Sequence, residues 1–187
     1  MKIQYSNSLI LVWRIAEIEA RHQRSTSIEP LHLLLGLCKV VDLDLPKMVS
    51  KETPNRDKVL DELLHEIRRI KSVFRAAKLD AKIFRRRLRM SAADRELGLS
   101  NPDQIHRSKA AKKVFADAER LAALVDSNVY PAHLLYAVLL AEDDKRDGAL
   151  AEIGIPMNDL QDDAKREVLY QGRTRPIMSS RGRGHRN

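Results

Sequence analysis

The sequence predicts an all-α protein, and three observations carry that reading. Leu, Ala, Arg, Lys and Glu are abundant, whereas Gly and Pro number only seven each in 187 residues. Unbranched residues and Ala lose little side-chain freedom in a helix, so the composition favours helix over strand. Apolar residues recur at spacings of three and four, the signature of one helix face turned to a core. Finally, two helix openings, "PLHLLLGL" at 30–37 and "PAHLLYAV" at 131–138, share a Pro-x-His-Leu-Leu core.

The first element is marked by Leu9, Val12, Trp13, Ala16 and Ala20, one apolar helix face that ends in the polar run "RHQRSTS". Pro30 suits the first turn of the next helix, where its missing N–H is not needed and its fixed φ is already helical. His32 lies two residues further in, so its side chain can reach back toward the turn before the helix. Leu33, Leu34, Leu37, Val40 and Val41 form the apolar side, and this helix is expected to be buried on most faces.

The same pattern returns about a hundred residues later. Ile28–Leu37 aligns with Val129–Val138, matching Pro, His and two Leu and keeping small residues at Gly36 and Ala137. With a one-residue gap in the loop, Ser6 falls on Ser108, Val12 on Val114, Trp13 on Phe115, Ala16 on Ala118, Glu17 on Glu119 and Ala20 on Ala122. Two helices and their connection are therefore duplicated.

The first copy carries about 25 additional residues around "DLDLPKMVSKETPNRDKVLDELLHEIRRI". From Leu60 onward, Leu63, Ile67, Ile70, Phe74, Ala77, Ala81, Phe84 and Leu88 alternate spacings of three and four, which makes a heptad seam. Two readings fit it. One is a single long helix able to pair with another. The other matches "AAKLDAK" to "EIGIPMN" of the second copy and places a turn near 78–80, with Asp80 capping a short basic helix.

Charge is segregated. Residues 56–90 hold 12 Lys/Arg against 5 Asp/Glu, and 172–187 hold 5 Arg and no acid, within a chain of net charge +8. The remainder is mildly acidic, so basicity belongs to two segments and not to the fold.

Several function classes lack their residues. No Gly-rich loop ending in Lys-Ser/Thr, no Cys pair and no His-Glu-x-x-His motif occurs, so the chain by itself is not expected to be an ATPase or any other enzyme, and no cofactor is expected. His32 and His133 could be read as a metal pair, but each stands at a helix start, where a first-turn structural role is commoner. Cys38, the one cysteine, cannot form an internal disulfide and lies on the apolar helix, which predicts an inert core thiol and a reducing compartment. The apolar "LILVW" is short and is followed by Arg14 and Glu17, so neither a signal peptide nor a membrane span is expected, and the protein reads as cytoplasmic. Trp13 and its counterpart Phe115 are expected in the core.

The paired "PLHLLLGL" and "PAHLLYAVL" segments, each after a helix with an alanine pattern such as "KKVFADAERLA", resemble the double Clp N-terminal repeat found at the front of AAA+ unfoldases. The resemblance covers roughly residues 1–170 and is most specific from "HRSKAAKKVF" to "ALAEIGI". It implies an all-α domain of two four-helix repeats related by a pseudo-twofold axis and packed into one domain. Repeat one would span about 1–90, with an inserted or extended basic helix, and repeat two about 105–170. The helices of the second copy would be 107–124, 131–142, 147–153 and 157–169. Residues 171–187 would be a basic flexible tail or linker.

The resemblance further implies a non-catalytic domain that docks substrate or adaptor proteins and hands them to an AAA+ ATPase module, in cis or in trans. In some members of that family an acidic residue just before the motif histidine helps to recognise phosphorylated arginine. The corresponding positions here are Leu31 and Ala132, both uncharged, which turns the expectation from phosphoarginine to an apolar contact if they are exposed, or to packing. Tyr130 beside Ala132, and the run Arg85, Arg86, Arg87 and Arg89, complete the candidate protein-binding residues. The same arginines, with the arginine-rich tail, support an alternative, a nucleic-acid-binding helical protein. Against it stand the absence of aromatics among the tail arginines, the lack of a recognition helix after a tight turn, and the acidic balance elsewhere. An acidic protein partner would use the same side chains.

Overall fold

A serine starts the first helix of each copy. In the computed structural model, which describes residues 4–92, 105–125 and 127–171, the Ser6 hydroxyl accepts the Leu9 N–H at 3.3 Å and the Ser108 hydroxyl accepts the Ala111 N–H at 3.1 Å. Each satisfies a donor that the first turn leaves orphaned. The helices that follow are α1 (Asn7–His22) and α6 (Lys109–Leu124). After α1 come β1 (Ser27–Ile28), α2 (Pro30–Val40), the short α3 (Leu45–Met48), α4 (Arg56–Ala76) and α5 (Ala81–Ala92). The second copy opens with β2 (His106–Arg107) and continues after α6 with α7 (Pro131–Leu140), α8 (Asp144–Glu152) and α9 (Met157–Gln171). The described residues are thus mostly helical, as the composition predicts. The expected basic tail lies, from residue 172 onward, outside the described residues.

Two short parallel pairings tie the copies together. Ser27 and Ile28 pair with His106 and Arg107, and Tyr5 forms an isolated bridge with Val129. The pairings are reciprocal. Ser108 N–H donates to Ile28 C=O and Ser6 N–H donates to Val129 C=O, both at 3.1 Å, and these partners exchange under the alignment of the copies. Several helix contacts follow the same exchange: α1 packs on α2 and α6 on α7, α5 on α2 and α9 on α7, α4 on α9 and α8 on α5, while α2 meets α7; the long α4 also packs on α1 and α7, contacts that α8 does not match. Val12, Ala16, Leu33, Leu34 and Leu37 from one copy and Val114, Ala118, Leu134, Leu135 and Val138 from the other are buried in one apolar cluster.

The segment with two open readings is two helices. α4 ends at Ala76 and α5 begins at Ala81, where the Asp80 carboxylate accepts the N–H groups of Lys82 and Ile83 at 2.8 and 2.9 Å. The single long helix is excluded, and the heptad seam turns inward: Leu63, Ile67, Ile70, Phe74, Phe84 and Leu88 are all buried within the protein. The extra residues of the first copy become α3 and a long α4, 21 residues against nine in α8. In the second copy α8 starts at Asp144, three residues before the expected 147, because Asp143 caps it by accepting the N–H groups of Lys145 and Arg146.

Candidate functional site

The duplicated histidines are helix caps. His32 Nδ1 accepts the Glu29 N–H at 2.9 Å, and His133 Nδ1 accepts the Tyr130 N–H at 3.0 Å. Both rings are fully buried. In each ring the nitrogen on the cap side is committed to the backbone, which leaves no paired lone pairs for a metal. Among the described residues no group of three or more His, Cys, Asp or Glu could hold a metal ion. Cys38 is likewise buried, and burial pushes its thiol far above the ordinary range, which keeps it protonated and unreactive.

Leu31 and Ala132 are 3% exposed. Both side chains pack, and both belong to first turns pressed into the core. Tyr130 is half-buried and stacks on His133, with ring centroids 5.9 Å apart.

The arginine run is divided in role. Arg85 is largely buried and stands 3.7 Å from Asp42, Arg87 stands 3.6 Å from Glu152, and Arg89 Nε donates to Glu19 at 3.0 Å. Glu19 is itself buried at 4% exposure, so this last pair holds α5 to α1. Only Arg86 of the four is exposed without an acidic partner among the described residues. An array of free guanidinium groups for tracking phosphates is therefore not present on α5, and this weakens the nucleic-acid reading.

The concave apolar site lies elsewhere, at the junction of the copies. A cavity of about 300 Å³ is lined by Tyr5, Leu9, Ile10, Trp13, Arg107 and Phe115. Its rings interlock edge to face: Tyr5 and Trp13 approach Phe115 at centroid distances of 6.1 and 5.7 Å and interplanar angles of 80° and 75°. The Arg107 guanidinium lies over Trp13 and Phe115 at 5.6 and 4.9 Å. Tyr5 donates its hydroxyl to Glu119, and burial together with that carboxylate pushes the phenol up to about 12, against a smaller opposing effect of Arg107. Phe115 is core, as predicted, whereas Trp13 is only half-buried and faces the cavity. Tyr5 and Ile10 are 41% and 47% exposed, and Ile18 further along α1 is 52% exposed. Apolar surface thus continues out of the cavity along the helix.

Sequence reasoning missed this site. The signal available was that Tyr5 and Arg107 occupy equivalent positions, one residue before each capping serine. Each reaches an aromatic ring on the first helix of the other copy.

No family model matches the chain, and no curated protein does. Solved structures do. The chain is 19% identical to the Hsp104 N-terminal domain from Candida albicans, with a TM-score of 0.60 over 86% of this chain and 89% of that one. A chain from structural investigations of a malarial protein secretion system is 18% identical, with a TM-score of 0.61 over 88% and 95%. The N-terminal domain of the caseinolytic protease associated chaperone ClpD from Arabidopsis thaliana is 18% identical, with a TM-score of 0.51 over 89% and 95%. No described helix is long and apolar enough to cross a membrane. The fold of this chain is that of the Clp-type N-terminal domain.

Proposed function

We propose that this protein is a non-catalytic, cytoplasmic protein-binding domain that docks substrate or adaptor polypeptides for a Clp-type AAA+ unfoldase acting in cis or in trans. The double repeat over roughly residues 1–170, its halves related by a half-turn, is part of that reading, and the reciprocal strand pairings support it. The observation that carries the proposal is the ring-lined cavity at the junction of the copies, with Ile10 and Tyr5 exposed at its mouth. Exposed aromatic and aliphatic surface around a concavity is what anchors an apolar side chain of a partner. The likeness to Clp-type N-terminal domains supports the same use.

The chain has one tryptophan, and it lines the cavity. Emission from Trp13 therefore reports occupancy directly. Titration with a reduced, carboxymethylated unfolded protein is expected to give a saturable change, and Ile10→Asp at the mouth is expected to weaken binding by about tenfold while leaving the fold intact. Absence of saturable binding by both fluorescence and calorimetry would overturn the proposal. Nuclease treatment separates the alternative: retention of nucleic acid that falls steeply with salt would support it instead.

A further inference from the structure

The mouth of the cavity is electrostatically asymmetric, and the duplication shows how. Tyr5 and Arg107 occupy equivalent positions, as do Glu17 and Glu119. In one half of the junction Tyr5 lies against Phe115 and bonds Glu119. In the other, Arg107 lies over Trp13, and the carboxylate that would complete the match is Glu17. That carboxylate is already engaged. Arg21 and Arg14 from its own helix reach it at 3.0 and 3.4 Å. Arg107 stands over two rings and hydrogen-bonds the Tyr5 phenol, with no ion pair among the described residues. A guanidinium fixed by stacking and by a phenol, with no ion pair among the described residues, has N–H donors preset for a carboxylate.

Resting on the docking reading above, we propose that the junction selects an internal, extended polypeptide segment in which an aliphatic side chain is followed closely by Asp or Glu. The aliphatic group fills the cavity against Trp13 and Phe115, and the carboxylate meets Arg107. An internal segment is favoured over a chain terminus by what borders the cavity. On α1, Ile10, Arg14 and Ile18 recur every four residues, and all three are exposed. This stripe of apolar, basic and apolar side chains extends the surface past the cavity, for a chain that runs on.

The test uses the full chain and three peptides of about a dozen residues, each with one leucine in an otherwise polar sequence. The first has Glu next to the leucine, the second Gln in its place, and the third ends on the leucine with a free carboxylate and carries no acidic side chain. Binding is read from Trp13 emission and, in parallel, by calorimetry. The Glu peptide is expected to bind about fivefold tighter than the Gln peptide, the size of a partly exposed charge-assisted contact. Arg107→Gln should erase that preference and Arg107→Lys should keep part of it, each read as the ratio of Glu-peptide to Gln-peptide affinity within the same variant. Equal affinity for the Glu and Gln peptides, or a preference that survives Arg107→Gln, overturns the charge selection while leaving docking in place. Tightest binding of the third peptide overturns the choice of an internal segment. Failure of all three peptides to bind overturns the docking reading itself.

Discussion

Lys78 and Gly154 hold the same left-handed backbone position at the turns that close α4 and α8. Their φ angles are 54° and 70°. Lys78 N–H donates to Arg75 C=O and Gly154 N–H to Ala151 C=O, each at 3.0 Å. The following residues, Leu79 and Ile155, donate back to Phe74 and Leu150. A side chain in this conformation crowds the backbone, at a cost of about 1–2 kcal/mol that glycine avoids. Lys78→Gly is therefore expected to stabilise the protein by about 0.5–1 kcal/mol, once glycine's greater freedom in the unfolded chain is subtracted. Gly154→Ala is expected to destabilise it by about 1 kcal/mol. Urea denaturation checks both, and the melting temperature should move by about 2–4 °C per kcal/mol in a chain of this size.

Gly36 is required for a different reason. A Cβ built there would stand 2.6 Å from the Val12 carbonyl oxygen and 3.3 Å from the Ala16 nitrogen, so α2 meets the backbone of α1 at this point. Backbone cannot step aside as a flexible side chain would. Gly36→Ala is expected to cost about 2–3 kcal/mol through overpacking, despite the better helix propensity of alanine. The equivalent Ala137 carries its Cβ in the core at 1% exposure, so Ala137→Gly should cost only about 1 kcal/mol. A larger loss at 137 than at 36 would contradict this.

The difference between those two sites shows what was legible in the sequence. The small-residue match at Gly36 and Ala137 was visible, as were the prolines and histidines that open α2 and α7, because first-turn chemistry is local. The turn at Lys78 was not decidable from its own residues, since it contains neither Gly nor Pro; the match to Gly154 was its only signal, and burial of Leu79 and Phe74 overrides the strain. The cavity was invisible for another reason. Its walls join Tyr5 to Phe115 and Arg107 to Trp13, pairs about a hundred residues apart, and no periodicity within one helix encodes which rings meet across copies. Leu31 and Ala132 illustrate the converse: a resemblance pointed to those positions, but exposure depends on what packs over the first turn.

His133 makes stability depend on pH. Its Nδ1 accepts a backbone N–H, so in the neutral ring Nε2 carries the proton, yet that buried atom has no hydrogen-bond partner. In copy one the corresponding atom of His32 meets Gln23 at 3.1 Å, and position 125, which aligns with Gln23, is a valine. Burial, and secondarily the positive charge of Arg69, lower the His133 pKa to about 4. Because the folded value lies below the unfolded one of about 6.5, the unfolded chain takes up a proton first as pH falls. The stabilisation is complete above pH ~6.5 and is lost progressively toward pH ~4, by at most about 3 kcal/mol. Glu66 acts in the opposite sense: burial raises its pKa against the hydrogen bonds from Ser6 and Ser8, so its protonation restores some stability in acid. In His133→Asn, whose side-chain oxygen can still accept the Tyr130 N–H, urea midpoints at pH ~7 and pH ~4.5 should differ by less than half the parental difference.

Arg89 and Arg86 separate structural from surface arginines on α5. Glu19 lies at 4% exposure, and Arg89 is its ion-pair partner, contributed from 70 residues away in sequence. Removing Arg89 leaves a buried carboxylate uncompensated, a loss that reaches about 3–5 kcal/mol for fully buried pairs. Arg89 itself is half exposed, so solvent can enter once its side chain is gone, and Arg89→Ala is expected to cost about 1–2 kcal/mol. Arg86→Ala, which breaks no ion pair among the described residues, should stay within about 0.5 kcal/mol of the parent. The double variant Arg89→Ala with Glu19→Gln should recover part of the loss, because the buried group left behind is then neutral and the cost came from its charge. If instead the two arginines were equivalent solvated charges, the single variants would be equally mild and the Glu19 change would rescue nothing.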